Sequence, residues 1–404
     1  MRKHIIWILA FLLLALAGDR LVGHFLKNIT ESSQFRYSRL YFSNEDADIL
    51  FVGNSRGLTF YQPEVELLTG KKTMNLSYNG MPADLAKCLV MDYLDHHTPP
   101  KTMIVDITLC DRENEVLKSG MNPYVPYSQR LTDLIKNTIS TKVGKEFTKN
   151  GKIQMDTLDK YAGKKVFYGG QLSQLYRYNS EIFQRVLFHK NKTDKDQLID
   201  RTIGESASTD TSIKSYQVRM FPNMVTELKE MVEYARDKGV IVKLVINPYF
   251  PAFAESIRDS FLTPLKKQVE AQTSMVVSDY STILTAREEI GDYQHANTKG
   301  SIRFMQILMA HGFFTPNGST NMGLNDFFQD NKSSFQSNSA PKTLPSSSLI
   351  ATNFTPSVPT TIKGTSDAVD AELILNEVKL EEKARKKAKK NSAWIAVDTM
   401  FNEN

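Results

Sequence analysis

The chain has 404 residues, of which 41% are hydrophobic and 24% charged, and its net charge is +5 at neutral pH. These values fit a globular protein of one large or two ordinary domains, and they exclude a mainly disordered or multi-span membrane chain. Residues 379–390 hold seven basic and two acidic side chains, which account for the net charge, so no basic face for nucleic acid is predicted. Cys88 and Cys110, the two cysteines, have neither metal nor redox spacing. We therefore expect no metal and no cofactor, and either two buried thiols or one disulfide outside the cytoplasm.

The amino terminus has the pattern of an export signal or a membrane anchor. A basic lead, Met1 to His4, precedes an uninterrupted apolar run from Ile5 to Gly18. Ala15-Leu16-Ala17 would serve as a signal cleavage site, whereas apolar residues continuing to Leu26 favour an uncleaved anchor. The basic lead places the amino terminus in the cytoplasm. We predict that residues 1–26 are a signal peptide or anchor and that the rest works beyond the inner membrane, either as a single-pass protein with a periplasmic domain or after export and cleavage.

After a polar connector at 28–45, buried strand patterns alternate with amphipathic helix patterns. Strands are predicted at 49–52, 73–76, 102–107, 240–246 and 275–278, and helices at 58–68, 83–97, 128–139, 180–188, 220–238, 253–271 and 298–311. Strands that alternate with helices predict an α/β fold. We expect a doubly wound, flavodoxin-like parallel sheet of about five strands with helices on both faces.

Two regions depart from that alternation. Residues 111–215 are polar and rich in lysine and clustered aromatic side chains, so we interpret them as an insertion that caps the sheet of a domain at 27–316. Residues 317–404 are dominated by Ser, Asn, Thr and Pro over most of their length, which predicts a disordered tail. Within the tail, 372–390 predicts a short charged helix, for which the membrane surface is the first partner to test.

The end of the first predicted strand is the first candidate site. It runs into Gly53-Asn54-Ser55-Arg56-Gly57, and ligands of open α/β sheets bind outside the carboxyl ends of the strands. A serine there is placed to act as a nucleophile, and the N–H groups of the turn can hold an anion. A plain Gly/Ser turn is the alternative. A nucleotide-binding module is disfavoured because no Gly-x-Gly-x-x-Gly or Walker pattern is present.

A base for this serine is found among the seven histidines. Six lie beside the apolar run, at predicted helix ends or in the insertion, which leaves His295 in the loop after the last predicted strand. Asp292 lies three positions before it, so its carboxylate can hold one ring nitrogen while the other takes the serine proton. The alternative is a helix cap by Asp292 with an exposed histidine.

Three blocks in this order resemble the SGNH (GDSL-like) hydrolase superfamily. They are Gly53-Asn54-Ser55-Arg56 after the first strand, Asn75 to Gly80 after the second, and Asp292-x-x-His295 before the last helix. The sequence is most similar to a bacterial branch of membrane-anchored envelope proteins. The resemblance spans about 49–313, with the insertion as a family-variable region.

The resemblance implies a role for each matching residue. Ser55 matches the nucleophile, and Asp292 and His295 match the other two members of its triad. The N–H groups of Ser55 and Gly80 match the oxyanion hole.

Four nearby positions have open roles. The superfamily supplies an oxyanion asparagine after the third strand, where this chain reads Thr108-Leu109-Cys110-Asp111, so Asn114 or Asn79 would have to substitute. Arg56 either pairs with a carboxylate beneath the turn or binds an anionic group of the substrate. Asn247, which ends the fourth strand, either lines the pocket, as Asn79 also could, or belongs to a plain turn.

The resemblance implies a serine-dependent acyl esterase or O-acyltransferase. Its substrates would be acyl esters of a cell-envelope polysaccharide or related polymer, so the expected partners are an acylated carbohydrate or envelope polymer and the inner membrane. The alternative is a non-catalytic envelope assembly or carbohydrate-binding protein with the same fold, which the missing third-strand asparagine favours.

Overall fold

The computed structural model describes residues 2–109, 114–140, 146–149, 152–155, 167–195 and 223–315. The predicted tail at 317–404, its charged helix and the remaining parts of the insertion lie outside the described residues. Of the two cysteines, Cys88 is a buried free thiol, whereas Cys110 lies outside the described residues.

A five-stranded parallel sheet forms the centre of the molecule. In chain order, strands β1 to β9 are Ile49–Val52, Thr73–Asn75, Thr102–Asp106, Glu146–Lys149, Lys152–Met155, Ile241–Ile246, Val277–Asp279, Ile290–Asp292 and His295–Ala296. The central sheet has the order β2-β1-β3-β6-β7, and every neighbouring pair in it is parallel. Every residue of β1, β2 and β3 is buried, as strands covered on both faces require. The predicted α/β class and five-stranded parallel sheet are confirmed.

Helices alternate with the central strands along the chain. Helices α1 to α12 are Arg2–Ser32, Arg36–Phe42, Gln62–Thr69, Ala83–His96, Glu115–Gly120, Gln129–Ser140, Gln174–Tyr178, Glu181–Phe188, Met224–Asp237, Pro251–Ile257, Thr263–Thr273 and Thr298–Ala310. Residues 167–172 are also helical. Helix α3 packs against α12, whereas α9 packs against both α4 and α11. Two antiparallel hairpins, β4–β5 in the insertion and β8–β9 before α12, lie apart from the central sheet.

The structure corrects three element predictions. The helix predicted at 58–68 begins only at Gln62, after a separate 3-10 helix at Ser55–Thr59. The connector at 28–45 is mostly helical, because α1 continues to Ser32 and α2 follows with Arg36 to Leu40 buried. Burial of Arg36 is possible because the Asp194 carboxylate pairs with its guanidinium at 2.6 Å. The helix predicted at 253–271 begins two residues earlier, at Pro251, and contains a π-helical turn at Arg258–Leu262.

Helix α1 is long and apolar enough to cross a membrane. Its most apolar 18-residue window has a mean hydropathy of 2.2, and none of that window is buried inside the protein. A signal sequence has the same properties. The prediction of an apolar amino-terminal export or anchor segment is therefore confirmed in this general form.

Candidate active site

Ser55 begins a 3-10 helix, Ser55–Thr59, immediately beyond the carboxyl end of β1. Asn54 fixes this turn, because its Oδ1 accepts a hydrogen bond from the Arg56 N–H at 2.9 Å and its Nδ2 donates to the Thr108 carbonyl at 2.5 Å. Strand β1 pairs with β2 on one side and with β3 on the other, so the chain adds strands first to one side of β1 and then to the other. Ser55 therefore lies where open α/β sheets bind ligands.

The segment after β2 packs directly beneath the serine turn. A Cβ on Gly57 would lie 2.2 Å from Ser77 Oγ, which is too short for a non-bonded contact, so only glycine fits here unless Ser77 shifts. Asn75 Nδ2 donates to the Gly57 carbonyl at 2.9 Å and to the Phe60 carbonyl at 3.3 Å. Two of the three sequence blocks are thus joined by glycine contacts and side-chain amides.

Asp292 and His295 face each other across the β8–β9 hairpin. The Asp292 Oδ1 accepts a hydrogen bond from the Gln294 N–H at 2.9 Å, which orients the carboxylate within the turn. Helix α12 is capped instead by Asn297, whose Oδ1 accepts from the Gly300 N–H at 3.1 Å. The expected turn at a helix start is therefore a hairpin followed by a separate cap, and the alternative of Asp292 as the helix cap is wrong.

Serine, histidine and aspartate form one hydrogen-bonded chain. His295 Nε2 lies 2.8 Å from Ser55 Oγ, and its Nδ1 lies 2.7 Å from Asp292 Oδ1. An ionised carboxylate only accepts, so Nδ1 carries the ring proton and Nε2 accepts the serine hydroxyl. The side chains of His295 and Asp292 are 20% and 29% exposed, which leaves the chain within reach of a substrate. This arrangement can remove the proton from Ser55 as its oxygen attacks an electrophile.

Gly80 provides the second group expected at an oxyanion site. Its φ of +65° favours glycine, because side chains rarely adopt this region. Within the described part of the chain, neither the Ser55 N–H nor the Gly80 N–H donates a hydrogen bond, so both can receive a ligand. Asn114 Nδ2 donates to the Gly80 carbonyl at 3.1 Å, which brings one of the two substitute donors to this glycine. Asn79, the other one, is exposed beside it.

Arg56 lies under the serine turn and is 6% exposed. Its Nε donates to Thr108 Oγ1 at 2.9 Å and lies 3.8 Å from the Asp106 carboxylate. The two terminal nitrogens donate to the Thr108 carbonyl at 2.6 Å and to Gln294 Oε1 at 3.3 Å, and Tyr249 stacks over the guanidinium at 4.7 Å. Burial raises the pKa of Asp106, and the Arg56 charge opposes that rise. This geometry favours the pairing role over the substrate-binding role for Arg56.

Asn247 also supports the turn from within the protein. It is fully buried, and its Nδ2 donates to the Arg56 carbonyl at 3.0 Å and to Thr59 Oγ1 at 3.2 Å. Sequence reasoning missed Thr108 and Gln294, which hold the Arg56 side chain. Thr108 stands in the block that departs from the superfamily pattern, and Gln294 stands inside Asp-x-x-His. Their positions in these two blocks could therefore have identified both residues as part of the site.

A cavity of about 310 Å³ borders the Gly80 loop and the insertion. It opens beside Gly80 rather than over Ser55, and it carries amide, hydroxyl and carboxylate groups suited to polar ligands. Its polar lining includes Asn79, Asn114, Asn179, Ser180 and Glu181. Among the residues that the structure describes, no group of three or more His, Cys, Asp or Glu side chains could hold a metal ion.

Comparison of the sequence with models of protein families finds no match, and comparison with curated proteins finds none.

Proposed function

We propose that the protein is a serine-dependent acyl-ester enzyme of the bacterial cell envelope, an esterase or O-acyltransferase of the SGNH superfamily. The fold supports this proposal. The strand order corresponds to 2-1-3-4-5, the flavodoxin-like order of doubly wound sheets. The separate packing of α3 with α12 and of α9 with α4 and α11 fits two helical layers, one on each face.

One observation carries the chemical proposal. The Ser55 hydroxyl, the His295 ring and the Asp292 carboxylate are joined by hydrogen bonds of 2.8 and 2.7 Å although 240 residues separate the serine from the histidine. Ser55 is partly exposed, and neither its N–H nor that of Gly80 donates to another described residue. Nucleophilic catalysis requires an accessible hydroxyl and N–H donors that remain available for an oxyanion.

The proposed reaction has two halves, and in each of them His295 acts first as a base and then as an acid. Ser55 Oγ attacks the acyl carbonyl while His295 Nε2 takes its proton, and the developing oxyanion is bound by the N–H groups of Ser55 and Gly80. His295 then gives the proton to the leaving alkoxide, which leaves an acyl-serine. Water, or a sugar hydroxyl in an acyl transfer, attacks the acyl-serine while His295 takes its proton. The bond between the acyl carbon and Ser55 Oγ then breaks, His295 returns the proton to Ser55 Oγ, and the acid or the new ester is released. Asp292 stabilises the imidazolium in both halves.

The proposed substrate is an acyl ester of a cell-envelope polysaccharide or related polymer. The amide and carboxylate groups of the cavity beside Gly80 can hydrogen-bond sugar hydroxyls. The proposed location is the inner membrane, with α1 as a single-pass anchor and the α/β domain in the periplasm. Export after signal cleavage is the alternative, and the mass of the mature protein separates the two.

A fluorophosphonate probe tests the acyl chemistry, because it forms a covalent bond only with an activated serine. We expect the full chain to be labelled, and labelling to be lost in Ser55→Ala and His295→Ala. Ser274→Gly is the matched control, because Ser274 is exposed and has a φ of +54° that glycine adopts without strain. If the folded protein is not labelled, the proposed enzyme activity is contradicted. The non-catalytic carbohydrate-binding alternative, which the missing third-strand asparagine favours, would then be preferred.

A further inference from the structure

Helix α1 carries one apolar stripe that is longer than the run read as a signal. Trp7, Phe11, Leu14, Leu21 and Phe25 follow helical spacing along one face, and each is 58–74% exposed. The run from Ile5 to Gly18 would span only about 20 Å, whereas Ile5 to Phe25 spans about 30 Å. The hydrocarbon core of a bilayer is about 30 Å thick. If α1 crosses a membrane, its span therefore extends to Phe25.

The insertion is attached to α1 at the level of its last membrane turns. The Asp19 carboxylate accepts hydrogen bonds from Ser173 Oγ at 2.6 Å and from the Gln174 and Leu175 N–H groups at 2.9 and 3.2 Å. A charged side chain in a membrane span is costly unless it is paired, and these donors supply the pairing. The segment beginning at Ser173 therefore lies beside Asp19 and not beyond the end of the span.

Two further contacts place this segment of the insertion at the same position along α1. Arg20 donates to the Leu172 carbonyl at 3.1 Å. A Cβ on Gly23 would lie 2.2 Å from the Gln174 side chain, so α7 packs against α1 as closely as a glycine permits. Residues 172–175 are thus held next to residues 19–23, within the stretch that a span to Phe25 would use.

This part of the insertion presents large apolar side chains outward. We call it the insertion surface; its members, which are 52–76% exposed, are Tyr168, Leu172, Leu175 and Tyr176. Two of the four are tyrosines, which favour membrane–water interfaces because one end is apolar and the other polar.

We propose that the insertion surface is seated in the interface of the same bilayer that α1 crosses, so that the domain lies on the membrane and is not held away from it. Lipid is the occupant because residues 172–175 are held beside residues 19–23 of α1, within the stretch that a span to Phe25 would use. The cavity beside Gly80 is lined by Asn179, Ser180 and Glu181, which join α7 to α8. The lipid contact and the cavity therefore both adjoin α7. This inference rests on α1 being an anchor and not on the acyl chemistry.

The test measures lipid contact in the full chain reconstituted into nanodiscs. Single cysteines at Leu172 and Leu175 are labelled with an environment-sensitive fluorophore in a Cys110→Ser background, since Cys88 is buried. Lipids that carry a spin label near the top of the acyl chain quench only fluorophores within the bilayer interface. Phe25→Cys is the positive control. Leu67→Cys and Val276→Cys are the matched negative controls, because these apolar residues are 70% and 80% exposed on other elements.

We expect the fluorophores at Leu172 and Leu175 to lose as much fluorescence as that at Phe25, and those at Leu67 and Val276 to lose none. A quenched Phe25 label with unquenched Leu172 and Leu175 labels would overturn the proposal while leaving the anchor intact. An unquenched Phe25 label would overturn both. Should one cysteine substitution unfold the protein, Tyr176→Cys, at a residue that is 52% exposed, reports on the same surface. Fluorophosphonate labelling of the wild-type chain is independent of all these outcomes, so failure of the acyl chemistry is recognised separately.

Discussion

Replacing Arg56 by methionine separates its two open roles. Methionine keeps an unbranched apolar stem but removes the guanidinium, which donates to Thr108 and Gln294 and lies 3.8 Å from the Asp106 carboxylate. Because both charged side chains are buried, with the arginine 8% and the aspartate 0% exposed, solvent cannot replace the lost partner. If Arg56 supports the turn, its replacement should lower the free energy of unfolding more directly than it changes substrate binding.

The magnitude follows from this burial. Removing one partner of a buried pair costs about 3–5 kcal/mol, because it leaves an uncompensated buried charge. For a domain of this size, about 2–4 °C of melting temperature corresponds to each kcal/mol. We therefore expect Arg56→Met to lower the melting temperature by about 6–20 °C. Arg236→Met, at an exposed arginine of α9, is the control and should change stability by less than about 0.5 kcal/mol.

The loss in Arg56→Met should also depend on pH. The Arg56 charge opposes the rise in the pKa of Asp106 above its ordinary value of 3.8, so the variant raises that pKa further. A carboxyl whose pKa is higher folded than unfolded binds more protons when folded, so stability falls as pH rises above the unfolded pKa. Urea unfolding of the full chain in detergent should therefore show a smaller loss near pH 4 than near pH 8. Wild-type stability combined with a raised KM for an ester substrate would refute the supporting role and assign Arg56 to substrate binding.

Two further predictions concern the oxyanion site and the histidine loop. Asn114→Asp keeps an oxygen acceptor to cap α5 but removes the amide donor, so kcat for an ester substrate should fall by about 10²–10³ if this amide binds the oxyanion; an unchanged kcat would assign that donor to another group, with Asn79 as the next position to replace. Gly300→Ala would place its Cβ 2.0 Å from a backbone carbonyl oxygen of the loop before β8, which should cost about 1–3 kcal/mol in thermal unfolding and slow fluorophosphonate labelling of Ser55. Gly18→Ala, whose Cβ meets nothing within 4 Å, is the control, and equal labelling of both alanine variants would contradict the prediction.

The central sheet was predictable because its strands are encoded locally. Strand β1 occupies the predicted residues, 49–52, and the other four central strands lie within one or two residues of their predicted ends. A short apolar run bounded by charge and glycine is what a parallel strand covered on both faces needs. The proximity of Ser55 and His295 was also predictable, since both follow strands whose carboxyl ends meet at one edge of the sheet.

The hairpin that carries Asp292 and His295 was not predictable from local pattern. Strand β9 has only two residues, His295–Ala296, which is too short for any alternation of apolar and polar side chains. Its position depends on long-range contacts, in particular the Asn297 amide that donates to the Glu288 carbonyl at 2.7 Å and the close approach of Gly300 to the Glu289 carbonyl. These contacts specify the loop only once the sheet exists.

The support of the second block was missed for the same reason, and it bears on how the site is built. Arg36 looked like part of a solvated connector, yet its guanidinium pairs with Asp194 of the insertion and donates to the carbonyl of Ser77, three residues before Gly80. One side chain after α1 thus joins the insertion to the loop that carries an expected oxyanion donor. The segment after α1 and the insertion are therefore structural parts of the candidate site, not additions to a complete α/β domain. A domain cut at residue 45, where the predicted connector ends, would lack this support.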